Sequence, residues 1–260
     1  MTGMREPGQV DILGCRIDRI DMRSAIARLE RLIADGGGRH VLVVPVKSVM
    51  TQLKDEAFRD ICANADLVLP DGVPILWAAR LLGRPIPGRV AGPDLLREFS
   101  RVAAERGYSF FFLGAKQAVL RALTAELIRE NPGLEVAGAF APPMLAEFYP
   151  ELNEQIVERI NAVRPDVLWV GFGTPKQERW IQQNLSRLKV KVAIGVGAAF
   201  DLTSRTVQRA PRWMQKHGLE WFFRFLIEPR RLFKRYFVEG APFFPLVLAQ
   251  KLRNRGKNRD

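Results

Sequence analysis

The sequence predicts an open α/β fold, in which a mostly parallel sheet carries helices on its faces. Three observations lead there. Five short apolar runs are nearly continuous, as in strands covered on both sides: His40–Val46, Asp66–Leu69, the run YSFFFLG ending at Gly114, Asp166–Gly173 and Val190–Gly197. Helical patterns separate these runs, and strand–helix alternation is the signature of a parallel sheet. Several runs end in Asp-Gly or glycine, at the carboxyl ends where such sheets bind ligands.

In chain order, SAIARLERLI (Ser24–Ile33) repeats apolar residues at helical spacing and precedes the first run. After LVLPDG an apolar, helix-like segment starts at Val73. PDLLREFSRVAAERG (Pro93–Gly107) opens on Pro-Asp and stops at glycine, as helices commonly do. QAVLRALTAELIRE and LNEQIVERINAV complete the helical set of a Rossmann-like body, read as residues 1–204. The 260 residues, 47% of them hydrophobic, can bury a large core.

Charge divides the chain. Residues 205–260 hold 14 Lys or Arg against 4 Asp or Glu, and residues 1–204 hold 26 against 24. The tail therefore carries a net charge of +10 and the body +2. A basic tail calls for an anionic partner. Trp213, His217, Trp221 and Phe225, spaced by four, are expected on one helix face among arginines. APFFPLVLA (Ala241–Ala249) is apolar but too short to cross a bilayer, and a basic cluster follows it. Residues 205–260 thus read as a basic amphipathic helical appendage that lies on a membrane surface. The alternative is a helical cap with a solvated basic face. No apolar leader opens the sequence. Cys15 and Cys62, far apart in sequence, form no metal or redox spacing and fit a reduced cytosolic setting. Two histidines are too few for a histidine-based metal site.

Three strand ends are candidates for chemistry. Asp71 in LVLPDG stands alone among apolar residues, either as a reactive carboxylate or as a helix cap. Gly114 in FFLGAK precedes a helix, whose free N–H groups suit phosphate, or else makes a tight turn. In VGFGTPKQERW, Gly171 and Gly173 permit close backbone approach, and Thr174, Lys176 and Gln177 open a helix. There Gln177 faces a ligand, or Thr174 and Gln177 form a capping box. The sequence contains no phosphate-binding G-x-x-x-x-G-K-[ST] loop, no G-x-S-x-G elbow and no D-x-D pair for a divalent metal on a nucleotide-sugar.

Together, ADLVLPDGVPILWAARLLG, RVAGPDLL, FFLGAK, VGFGTPKQERW and the long segment from GVGAAFDLTSRTVQRAP to EPRRLFKRY resemble the WecG/TagA/CpsF family of glycosyltransferases. The resemblance implies an inverting enzyme at the cytoplasmic face of the membrane. Such an enzyme moves a sugar from a UDP-sugar to a polyprenyl-diphosphate-linked saccharide, without a metal or other cofactor. It implies Asp71 as the base and Arg89 as a contact to phosphate or to Asp71. Gln177 would contact the sugar or diphosphate, and Arg224, Arg230 and Arg231 would close over the diphosphate. One departure stands out. Where the family has T-x-N-P-E, this chain has Val43-Val44-Pro45-Val46-Lys47, which predicts a changed donor sugar: a hexose, an N-acetylhexosamine or a uronic acid form. The product would be a cell-surface polymer or exopolysaccharide. An apolar tail is compatible with a monomer or a homo-oligomer. The rival readings are a basic nucleic-acid-binding protein and a non-catalytic membrane scaffold. Glycine-ended strands and the apolar tail segment argue against nucleic acid.

Overall fold

The computed structural model describes residues 8–143, 145, 148–211, 213–214, 219–233 and 238–257, without the side chains of Arg224, Arg231 and Lys257. A hairpin of β1 (Gln9–Ile12) and β2 (Cys15–Asp18) opens the chain and turns at Leu13 and Gly14, both with positive φ. Six parallel strands form the main sheet: β3 (Arg39–Val44), β4 (Leu67–Pro70), β5 (Ser109–Gly114), β6 (Glu135–Phe140), β7 (Val167–Gly171) and β8 (Val192–Gly195). Their order is β4-β3-β8-β7-β5-β6. The predicted parallel α/β sheet is therefore present. All five expected runs contribute strands to it, with bounds shifted by at most two residues. The run from His40 stops at Val44, because Pro45 lacks an N–H and caps the next helix.

The helices are α1 (Met22–Asp35), α2 (Val46–Gln52), α3 (Glu56–Asn64), α4 (Val73–Leu81), α5 (Gly92–Arg106), α6 (Gln117–Glu130), α7 (Pro150–Val163), α8 (Lys176–Asn184) and α9 (Ala199–Thr203). In the tail are α10 (Glu220–Ile227), α11 (Pro229–Phe233) and α12 (Phe243–Lys257). Local chemistry sets several ends. Asp21 caps α1 by accepting from the Ser24 N–H, and α5 stops at Gly107 in the left-handed conformation.

Alternate residues along each strand feed opposite faces. Phe110 and Phe112 pack with Trp169 and Phe200 under α1, α5 and α6, with Phe110 edge-on to Trp169 at 5.5 Å. Phe111 and Leu113 pack instead with α7 and α8. A third cluster joins Leu42, Val44 and Val68 to α2, α3, α4 and the hairpin. Cys15 and Cys62 meet in this cluster despite their distance in sequence. Hydrogen bonding with Cys62, then burial, pushes the Cys15 thiol well up.

The tail differs from expectation in two respects. Trp213 and Trp221 do not share one helix, because Leu219 is not helical and α10 starts at Glu220; His217 lies outside the described residues. The segment expected to meet lipid is only half free. Phe243 and Val247 of α12 are buried against α4 and the hairpin, and Gln250 donates to the Asp11 carbonyl and accepts from the Leu13 N–H. Phe244, Leu248 and Leu252 remain exposed on the other side of α12. Among the described residues no helix is long and apolar enough to cross a membrane.

Candidate functional site

A cavity of about 1140 Å³ opens at the carboxyl ends of the main-sheet strands. Asp71, Gly114, Gly171, Gly173, Thr174, Lys176 and Gln177, seven of the residues singled out in the sequence, all line it. Strand order explains the convergence. β4, β5 and β7 are separated in sequence, but parallel pairing brings their carboxyl ends to one edge. The cavity is the crevice that an open α/β sheet offers ligands.

Asp71 follows the last residue of β4. Its N–H donates to the Val44 carbonyl of β3 at 3.1 Å, which sets Asp71 beside the carboxyl end of β3. The segment after α4 folds back over it, with the Val90 N–H on the Pro70 carbonyl at 2.8 Å. Asp71 is not a helix cap: Gly72 holds that position in α4, and no side chain caps the helix. Val43, Pro45 and Lys47, three of the four residues that depart from the family pattern, share the cavity wall with Asp71. Lys47 Nζ donates to the Thr174 carbonyl at 2.8 Å, joining α2 to the loop after β7.

That loop is held from below by Gln177, which is only 2% exposed. Its Oε1 accepts from the N–H groups of Gly173 and Gly197, each at 2.9 Å, and its Nε2 donates to Glu178 Oε1 at 2.9 Å. The side chain expected to reach a ligand is thus engaged as a brace between the loops after β7 and β8. Thr174 and Gln177 form no capping box either: Pro175 caps α8, and the Thr174 hydroxyl donates to Glu178 at 2.8 Å. Burial pushes the Glu178 carboxyl up, opposed by the bonds from Thr174 and Gln177.

Close packing under the cavity requires glycine at three strand ends; a Cβ on Gly171 would lie 2.6 Å from the Phe200 ring. A Cβ on Gly114, whose φ is +116°, would lie 2.9 Å from the Gly171 backbone. One on Gly195 would lie 2.8 Å from Gln177 Nε2. Lys176 closes another side, with its ammonium 3.8 Å from the Phe148 ring centroid, and burial lowers its pKa.

Arg89 is engaged away from the wall. It does not line the cavity; it pairs with Glu220 at 3.1 Å and Asp94 at 3.4 Å. Arg230 is exposed on α11 and is not part of the wall, while the side chains of Arg224 and Arg231 lie outside the described residues. The tail nevertheless contributes, through Thr206, Val207, Leu232 and Glu239. Sequence reading also passed over Asp201, which lines the cavity from α9. Its position after the glycine-ended run GVG was the available signal.

Comparison with known proteins agrees with this architecture. The profile described as "Glycosyl transferase WecG/TagA/CpsF family" matches residues 10–257. An N-acetylglucosaminyldiphosphoundecaprenol N-acetyl-beta-D-mannosaminyltransferase of Bacillus subtilis (strain 168) is 28% identical over 218 residues, 84% of this chain and 82% of that protein. A protein of the same name from Staphylococcus aureus (strain MRSA252) is 27% identical over 248 residues, 94% of each chain. The match spans the sheet, the cavity and the tail, and the chain belongs to the WecG/TagA/CpsF family of glycosyl transferases.

Proposed function

We propose that this protein transfers one sugar, with inversion, from a UDP-sugar to a polyprenyl-diphosphate-linked saccharide in cell-surface or exopolysaccharide synthesis. The observation that carries the proposal is the position of Asp71, a carboxylate at a strand end on the wall of a cavity large enough for a nucleotide-sugar. The acceptor hydroxyl attacks the anomeric carbon from the face opposite the leaving UDP, and Asp71 takes the hydroxyl proton. One carboxylate suffices for a single displacement. No metal enters this reading. Lys47 and Lys176 of the wall, with the arginines of the tail, meet the diphosphate charge. The relatives' names support a lipid-diphosphate acceptor.

Residues 205–260 act here as an appendage that completes the cavity, as the lining by Leu232 and Glu239 suggests. Exposed Trp213, Trp221, Phe222, Leu226 and Phe244 amid a net charge of +10 suit the cytoplasmic face of an anionic membrane. Val43 and Pro45 make that part of the wall apolar, and Lys47 adds a cation. This favours a donor sugar other than the N-acetylmannosamine that the relatives' names carry.

The test is incubation of the detergent-solubilised protein with a panel of UDP-sugars and polyprenyl-diphosphate saccharides, with EDTA present, and mass spectrometry of the products. Transfer of one sugar supports donor class, acceptor class and metal independence together. No product from any pair, or product only when Mg²⁺ replaces EDTA, contradicts the corresponding part.

A further inference from the structure

Two regions that are distant in sequence meet beside the cavity through charge. Arg89 precedes α5, Asp94 lies in its first turn, and Arg209 and Glu220 belong to the tail. Arg209 Nη1 and Nη2 donate to the two carboxylate oxygens of Asp94 at 2.5 and 2.9 Å, and its Nε donates to Glu220 Oε1 at 2.9 Å. Arg89 donates to the other oxygen of Glu220 at 3.1 Å and to Asp94 at 3.4 Å. Each arginine touches both carboxylates and each carboxylate touches both arginines, so the four charges form a closed ring with no net charge. Burial alone would lower the Arg209 pKa, but the bonds to Asp94 and Glu220 raise it well above the usual value.

We propose that this ring is a latch that seats the tail at the cavity mouth, with Arg89 as a positioning residue that ties the tail to the strand end carrying Asp71. The connection to Asp71 is short. Arg89 is bonded to Glu220, and its neighbour Val90 holds the Pro70 carbonyl through its N–H at 2.8 Å. On the tail side, Glu220 begins α10, where a carboxylate also complements the helix dipole. Beyond it Leu232 reaches the cavity wall.

Magnitudes favour a latch over a fixed core. The side chains retain 14–35% of their exposure, so each pair contributes little alone. Phe222, Leu226 and Ile227 of α10 are exposed and add little to the hold on the tail. The ring can therefore open without unfolding the sheet.

Amide hydrogen exchange on the full chain in detergent tests this without depending on transfer activity. Glu220→Gln should speed exchange across residues 209–233 at least tenfold while β3, β7 and β8 stay within twofold. A closed ring opens once, so adding Asp94→Asn should give little further acceleration. Arg89→Lys, which keeps the charge but loses the fork, should fall between wild type and Glu220→Gln and serves if the latter fails to fold. Where transfer is measurable, Glu220→Gln should raise KM for the lipid-linked acceptor about tenfold with UDP binding unchanged. Unchanged exchange in Glu220→Gln, equal acceleration of tail and sheet, or effects that multiply in the double variant would overturn the latch. Absence of transfer with the exchange pattern intact would count against the proposed reaction and not against the latch.

Discussion

Replacing Gln177 by alanine should cost stability first and activity second, because this side chain braces the cavity floor. Its Oε1 is the acceptor for the Gly173 and Gly197 N–H groups, and its Nε2 supplies one of the donors to the buried Glu178. An orphaned buried amide costs ~1–3 kcal/mol. Water from the cavity can reach the vacated site, so the low end applies to each. With the lost bond to Glu178 and the lost packing, the total is about 3 kcal/mol. For a chain of this size that corresponds to a melting midpoint lower by about 6–12 °C. Thermal and urea unfolding followed by circular dichroism would measure it, with UDP binding measured in parallel below the transition. The reasoning fails if the variant melts like wild type yet no longer binds UDP, since Gln177 would then be a ligand contact and not a brace.

Gly195→Ala should push Gln177 off the same two amides, because the new Cβ would lie 2.8 Å from Nε2 of a side chain fixed at both ends; a loss of about 1–3 kcal/mol in urea unfolding is expected. Phe243→Ala should release α12 from the hairpin and α4 at a cost of about 3–5 kcal/mol, seen as faster proteolysis near residue 243. His40 is buried and its ring nitrogens make no hydrogen bond of normal geometry. Burial lowers its pKa to about 4, with Gln182 and Asp66 opposing the shift. The neutral form is favoured by folding. Its contribution, about 3 kcal/mol, is therefore complete above about pH 6.5 and lost as pH falls toward 4. His40→Gln should flatten the acid limb of the stability–pH curve.

The parallel sheet was legible because strands covered on both faces must be apolar throughout, and YSFFFLG or DVLWVGFG can hardly be anything else. β6 escaped notice because it is an edge strand, half-exposed and interrupted by Ala137 and Gly138. The hairpin escaped because four-residue strands alternating buried and exposed residues give too short a pattern to stand out. At the site, glycine-ended runs marked where the cavity would be, and seven candidates line it. What the sequence did not give was the direction of side chains. Gln177 is polar and at a helix start whether it faces a ligand or two backbone amides. The partners of Arg89 lie in the first turn of α5 and at residue 220, beyond the reach of any local pattern.

The central claim is that Asp71 is the base. Asp71→Asn keeps the shape of the side chain and removes its capacity to take a proton. Transfer by this variant should fall about 10²–10⁴-fold, the usual contribution of a positioned base, while UDP binding by calorimetry stays within threefold of wild type. Loss of UDP binding together with transfer, or transfer that survives the substitution, would contradict the account.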